Sequence, residues 1–328
     1  MKLSQMSLKW LEVFQLTARH GSVKLAAQHS GLSVSTVSHH LRCLEDALGC
    51  HLLDHAKRPM ALTVQGTLLL PYVEAAIAML DSGTIAVFSD QIAETRNLRL
   101  GLIEDFDSEV APLLTRQLAA SLPKCQFSHY TRPSHEVIDL IRRRELDIGV
   151  AAQPSVEVED VNEYPLLRDP FVLAVPADSD LVAEDYVEGR TTLPLIRYSQ
   201  RQLIGSRIET HLRRMKLSPP NRFEFESNQS VLGLVAEGQG WAITTPTNYY
   251  RALRFQSRLK LLPFPGRGFS RYISVYTSPG YGSGVVDLVV TTLRLQIQSK
   301  VIDPTTDKMP WLKAGFHLFP AAKAIEEF

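Results

Sequence analysis

Gly21, Gly31 and Gly49 cut the start of the chain into three short stretches whose apolar residues recur at helical spacing. Leu8, Leu11, Phe14 and Ala18 share one face of a first helix, which His20-Gly21 ends. Ser22 is placed to cap a second helix whose face includes Leu25, Ala26 and Ala27. After a tight turn at Gly31, Ser33 and Ser35 offer cap oxygens to a third helix. That helix sets Val37, Leu41, Leu44 and Leu48 on a buried stripe, with Gly49 at its C-terminal end. Its other face shows Thr36, Ser38, His39, His40, Arg42 and Cys43, short polar and basic groups on a rod narrow enough for a major groove. Two short helices and a glycine turn leading to such a third helix describe a helix-turn-helix.

Next, His51-Leu52-Leu53 and Ala61-Leu62-Thr63 flank Lys57-Arg58-Pro59, which reads as a small β-ribbon with a basic tip. From Thr63 or Val64 to about Glu94 runs a long helical pattern that includes Leu68, Leu69, Val73, Ile77, Leu80, Val87, Phe88 and Ile92. A helix so rich in Ala, Leu and Ile needs a partner, most simply a second copy of itself.

Composition bears on the next question, whether such a head can hold nucleic acid. The 328 residues carry 35 Lys and Arg against 35 Asp and Glu, a formal balance of zero. By itself that argues against a nucleic-acid partner, because phosphates recruit basic side chains. The average conceals two unlike parts. Residues 1 to 63 sum to +3 and hold six of the ten histidines, while the remainder sums to −3. A head with so small a surplus should bind DNA weakly, and several heads gathered by oligomerisation would recover affinity. The 45% hydrophobic content excludes a disordered or fibrous chain and allows two or three domains. Three cysteines, Cys43, Cys50 and Cys125, give no disulfide framework and fit a reducing compartment. No signal peptide is visible, and runs such as Leu68-Leu69-Leu70 fall far short of a membrane span. The expectation is a cytoplasmic protein with no membrane partner.

After Thr95-Arg96-Asn97 strands and helices alternate. Strands are expected at 98–103, 125–130 and 146–152, with helices at 110–122 and 134–144, a repeat that argues for a parallel α/β sheet. A second unit follows. Its strands lie at 171–175, 195–198, 223–226, 241–245 and 272–276, and its helices at 207–215, 230–237 and 285–298.

With these residues in place, the chain resembles the LysR-type transcriptional regulators over roughly residues 7 to 299. The head carries the most specific marks: Phe14, Gly21-Ser22, Ala26-Ala27, Ser33, Val37-Ser38, Leu44-Glu45, Leu48-Gly49, Leu52, Leu62-Thr63 and Gly66. Leu98-Arg99-Leu100-Gly101, Pro123, Glu145-Leu146-Asp147-Ile148-Gly149 and Leu234-Val235-Ala236-Glu237-Gly238-Gln239-Gly240 agree with it. The resemblance implies an α/β chain: an N-terminal winged helix-turn-helix over 1–63, a dimerising linker helix over 64–95, and a two-lobed effector domain like periplasmic binding proteins over 96–300. Residues 301–328 extend beyond it, and Trp311, Phe316, Leu318, Phe319 and Phe328 should pack on a lobe or a neighbouring subunit. It also implies a homodimer or homotetramer on double-stranded DNA, with RNA polymerase a further partner for an activator. Where the family commonly has Gln, Pro and Arg along the recognition helix, this chain has Val34, Ser35 and His39, and His55 replaces the usual wing arginine. Fewer bidentate guanine contacts are therefore expected, with more weight on shape and phosphate.

The candidate groove contacts are Ser33, Val34, Ser35, Thr36, Ser38, His39 and Arg42, with Lys57 and Arg58 on phosphates or in the minor groove. The bland alternative is that the serines only cap the helix and the charges only solvate it. His39 and Cys43 stand at i, i+4 and could share an ion, but that face is the one DNA needs and nothing completes a tetrahedron around them; no metal or cofactor is expected. For the effector, the first strand-end loop Glu104-Asp105-Phe106-Asp107-Ser108 suits a cation through charge and the Phe106 ring, unless the acids merely cap the next helix. Thr131, Ser134, Tyr198, Ser199, Asn228, Ser230 and Thr245 are further candidates, while Arg132, Arg197 and Arg201 would favour an acid. No Gly-x-Ser-x-Gly elbow, Gly-rich phosphate loop or His-Glu-x-x-His motif supports catalysis, and Gly280-Tyr281-Gly282-Ser283-Gly284 reads as a connection. The competing reading, a solute-binding or metabolic protein with an appended head, is disfavoured by the missing leader and catalytic set.

Overall fold

The computed structural model describes residues 6–88, 95–156 and 158–320. The chain divides into two compact units, Met1–Val87 and Phe88–Phe328.

In the first unit, α1 (Leu8–His20), α2 (Val23–Ser30) and α3 (Val34–Leu48) begin on Ser7, Ser22 and Ser33. Each serine side chain accepts a backbone N–H of the first turn. The three helices end on Gly21, Gly31 and Gly49, all left-handed. Ser33 is thus the cap of α3, and Ser35 lies inside its first turn. Val13, Phe14, Ala26, Ala27, Val37, Leu41 and Leu44 close the core, joined by Leu52 and Leu53 of the ribbon. The buried stripe of α1 runs through Val13, Phe14 and Thr17, so Leu8, expected inside, is exposed, as is Leu25 of α2. Strands β1 (Leu53–Asp54) and β2 (Ala61–Leu62) pair antiparallel with Leu53 opposite Leu62.

The long helix α4 spans Val64–Phe88. It begins hard against the ribbon: a Cβ built on Gly66 would stand 2.0 Å from the Leu52 carbonyl oxygen, which only glycine avoids. Its partner is in part its own head, since Val73 is buried in the head core with Leu69, Leu70 and Ile77 packed around it. Leu68, Tyr72, Met79 and Leu80 remain exposed. The expected continuation through Ile92 to Glu94 lies outside the described residues.

The second unit holds two lobes. One is a six-stranded sheet of β3 (Asn97–Leu102), β4 (Gln126–Thr131), β5 (Ile148–Ala152), β6 (Asn162–Pro170), β12 (Ser270–Thr277) and β13 (His317–Leu318). Its spatial order is β13-β6-β12-β5-β3-β4. The parallel sheet expected from the alternation is confined to β3, β4 and β5; β12 lies antiparallel to both β5 and β6. The reason is connectivity, because β12 returns from the other lobe and not by a helical crossover. Helices α5 (Ala111–Ser121), α6 (Ser134–Arg142) and α11 (Ser283–Gln296) accompany this sheet, and the run 280–282 connects β12 to α11.

The other lobe is built on β7 (Val172–Pro176), β10 (Ala242–Thr244) and β11 (Leu259–Pro263), which form an antiparallel sheet. A parallel pair, β8 (Leu195–Tyr198) and β9 (Asn221–Phe225), joins it through a bridge from Leu195 to Trp241. Helices α7 (Ala183–Val187), α8 (Leu203–Arg214), α9 (Asn228–Ala236) and α10 (Pro246–Arg251) complete it. The chain crosses between lobes after β6 and again before β12, where the rings of Phe171 and Phe269 stack 4.2 Å apart.

Residues beyond 300 continue into α12 (Asp303–Lys308) and then β13, which pairs with β6 at Leu318 opposite Leu167. Leu312 and Phe316 are buried and Trp311 is exposed, so this tail packs on the first lobe and supplies its edge strand. Phe328 lies outside the described residues.

Candidate nucleic-acid interface and interlobe cleft

The outward face of α3 is polar, as its sequence requires. Ser33, Val34, Ser35, His39 and Arg42 are exposed, while Thr36 and Ser38 are half-buried. The serine hydroxyls are mutually engaged: Ser33 Oγ lies 2.8 Å from Ser35 Oγ and 2.7 Å from Thr36 Oγ1. Capping and exposure therefore coexist here: Val34, Ser35, His39 and Arg42 are exposed, with Ser35 bonded to Ser33 and the His39 ring 3.5 Å from Cys43 Sγ. In the turn between β1 and β2, Lys57 and Arg58 are exposed. Arg58 Nη1 donates to the carbonyls of His55 and Lys57 at 2.8 Å, and Lys57 Nζ rests 3.5 Å from the Asp54 carboxylate. An exposed pair of that kind is weak and yields readily to a phosphate.

Below this face, Glu45 is buried on α3 and fixes the ribbon. Its Oε1 accepts the backbone N–H groups of Leu52 and Leu53 at 2.7 and 3.1 Å. Its Oε2 faces His55 Nε2 at 3.1 Å and His51 Nδ1 at 3.4 Å. Burial alone would raise this carboxyl, but the hydrogen bonds from Leu52, His55, Leu53 and His51 outweigh it and hold its pKa below the ordinary value. The sequence expectations do not single out this cluster; the His51-x-x-x-His55 spacing at the ribbon is the signal that marks it.

In the second unit a cleft of about 420 Å³ opens between the lobes. Glu104, Asp105, Thr131, Ser134 and Asn228 line it, as expected from sequence. Five other candidates, Ser230 among them, do not. Phe106 is fully buried, which removes the ring from the cation site expected at that loop. The Tyr198 hydroxyl is turned into the second lobe, 2.9 Å from Thr244 Oγ1, and burial raises its pKa. Ser199 is buried with its Oγ accepting the Arg201 N–H, and Thr245 is buried with its Oγ1 accepting from Arg271 at 3.0 Å. Of the arginines, Arg132 lines the cleft. Arg197 is paired with Glu209, and neither it, Arg201 nor Ser230 lines the cleft.

Two arginines that the sequence does not single out organise the site. Arg271 is buried on β12 and pairs with Asp105 and with Asp169, the latter at 2.8 Å. Asp169 stands directly opposite it in the β6–β12 register. Arg251, at the end of α10 in the second lobe, reaches the first. It meets Asp107 through Nε at 2.9 Å and Nη2 at 3.1 Å, and Glu104 through Nη1 at 3.0 Å. Glu104 also accepts from Ser227 Oγ at 3.2 Å and from the Asn228 backbone N–H at 3.3 Å. Burial, with Asp105 nearby, still pushes the Glu104 carboxyl above its usual value against Arg251 and these donors. Four carboxylates thus face two guanidiniums: Glu104 and Asp107 join the lobes through Arg251, while Asp105 is held by Arg271 inside the first lobe. Asn228 is the exception: its buried side-chain oxygen has no partner among the described residues.

A helix-turn-helix head with a polar third helix, followed by two lobes around a polar cleft, defines the class of DNA-binding regulators that carry a small-molecule domain. The family model for the bacterial regulatory helix-turn-helix protein of the lysR family matches residues 8–67, and that for the LysR substrate binding domain matches residues 92–297. The chain belongs to the LysR family. It is 29% identical over 203 residues to a probable hydrogen peroxide-inducible genes activator of Mycobacterium leprae, a match covering 62% of this chain and 63% of that protein. It is 27% identical over 256 residues to the HTH-type transcriptional regulator YusT of Bacillus subtilis, covering 78% and 84%. The fold is shared with the Corynebacterium glutamicum OxyR C206 mutant (TM-score 0.54, 19% identity, 92% and 95% covered). It is also shared with full-length BenM (TM-score 0.52, 18% identity, 89% and 97% covered).

Proposed function

We propose that this regulator binds an operator through the exposed side of α3 and the Lys57-Arg58 ribbon tip, as an oligomer, and answers to a small polar molecule held between the lobes. The observation that carries the reading is the interlobe clamp of Arg251 on Asp107 and Glu104, which sits on the wall of the cleft itself. A ligand entering there competes with or reinforces the clamp, and so has different affinity for the closed and open lobes. That difference is what an effector needs to shift an equilibrium. The linker helices would pass the change on as altered spacing of paired heads, and an activator would present the complex to RNA polymerase in the cytoplasm. No catalytic step is assigned.

With Phe106 buried and Asp105 committed to Arg271, a dedicated cation box at the first loop has little left to work with. Groups on the cleft wall that can still engage a ligand include the unpartnered Asn228 side-chain oxygen and Arg132, which donates to the Thr131 carbonyl at 2.8 Å and pairs with Glu136 only at 3.7 Å. They favour an effector that donates a hydrogen bond to Asn228 and offers a polar or anionic group to Arg132. A thermal-shift screen of amines, betaines and carboxylic acids tests this. Hits should lose their stabilisation in Asn228→Ala, whereas hits indifferent to Asn228 and Arg132 contradict the placement.

A further inference from the structure

We infer that Glu45, His51 and His55 form a binding site for a divalent transition-metal ion at the base of the ribbon. Their three donor atoms lie within 4.8 Å of one another. The carboxylate oxygen is 3.1 Å from one imidazole nitrogen and 3.4 Å from the other. A four-coordinate ion with bonds of about 2.0–2.1 Å sets its donors roughly 3.3 Å apart, so only small side-chain movements separate the present arrangement from a bound one. The two rings stand nearly perpendicular, at 79°, so their nitrogens converge on the same oxygen from different directions.

The carboxylate is ready-made as a ligand. Its other oxygen is anchored by the Leu52 and Leu53 N–H groups, which fixes its position. The imidazoles are reachable from solvent, with His51 81% and His55 49% exposed. On binding, each coordinating ring nitrogen offers its lone pair and the ring's remaining hydrogen sits on the other nitrogen, so two neutral imidazoles and one carboxylate hold the ion. Two histidines and one carboxylate leave at least one coordination position for water. That set suits Zn²⁺, Co²⁺ or Ni²⁺ over Ca²⁺ or Mg²⁺, which prefer all-oxygen shells. The site lies next to the ribbon tip, because the His55 carbonyl is one of the two that Arg58 holds.

The test is a Co²⁺ titration of the untagged full-length protein at neutral pH, read by visible ligand-field absorption and reversed by Zn²⁺. One Co²⁺ per chain is expected. The double variant His51→Ala, His55→Ala should weaken binding by more than roughly 100-fold while keeping its helical circular dichroism and melting transition. The double variant His39→Ala, Cys43→Ser should bind as the parent does. Absence of the absorption band from the parent, its retention after loss of both His51 and His55, or its loss with His39 and Cys43 overturns the site. None of these readouts involves DNA, so their failure leaves the regulator reading untouched.

Discussion

Arg251 of the second lobe holds Asp107 of the first through two hydrogen bonds, 2.9 Å from Nε and 3.1 Å from Nη2. A guanidinium clamped on a carboxylate in this forked way fixes direction as well as distance. All three partners are largely shielded, with side-chain exposures of 11% for Arg251, 25% for Asp107 and 28% for Glu104. Replacing Arg251 by Met strands two carboxylates in that setting. We expect a loss of about 2 kcal/mol, which lowers the melting temperature of a domain this size by roughly 4–8 °C. Small-angle scattering of the same variant should show more open lobes. Parent-like stability would mean that the clamp does not hold the cleft closed.

Removing Arg271 should be more severe. Asp105 and Asp169 are both buried around it, and no other cation is paired with either among the described residues. Arg271→Met is expected to cost about 3–5 kcal/mol in urea denaturation of the effector domain, because two buried carboxylates lose their countercharge. A change below about 1 kcal/mol contradicts the assigned role.

Neutralising Lys57 and Arg58 together should weaken binding to every DNA sequence alike. The slope of log affinity against log salt should fall by roughly two units, one for each phosphate that is no longer neutralised. An unchanged slope removes the ribbon tip from the interface.

The head should also lose stability in mild acid. His20 lies flat against His29 with ring centres 4.3 Å apart, and its pKa is lowered by burial, then by His29 and Arg19. A histidine whose folded pKa lies below its unfolded value is protonated first in the unfolded chain. Stability present above the unfolded pKa of about 6.5 is therefore lost as pH falls through it toward the folded value. Melting temperatures at pH 7.5 and 5.5 should show the drop, and a smaller one in His20→Gln. An identical drop in that variant assigns the effect elsewhere.

How far the sequence could be read depended on whether a signal was local. The helix boundaries of the head were largely legible because Ser22, Ser33 and three left-handed glycines act within a turn of where they stand; the Ser7 cap of α1 was not expected. The effector strands with continuous apolar runs were legible too. β6, β11 and β13 were not expected; β6, Asn162–Pro170, carries prolines at 165 and 170 and reads as loop. Missing β6 meant missing the Asp169–Arg271 pair, which exists only in its register with β12. The acidic loop illustrates the same limit: three carboxylates are visible in sequence, but the arginines that neutralise them come from residues 251 and 271. Phe106, expected over a ligand, is consumed by the core.

The most direct test of the central claim is fluorescence anisotropy of the full-length protein on DNA from upstream of its own gene, against a scrambled duplex at the same salt. The account predicts tighter, cooperative binding to the upstream DNA that is lost when Arg42 and the two ribbon-tip cations are neutralised. Equal affinity for both duplexes, or binding indifferent to those residues, would contradict it.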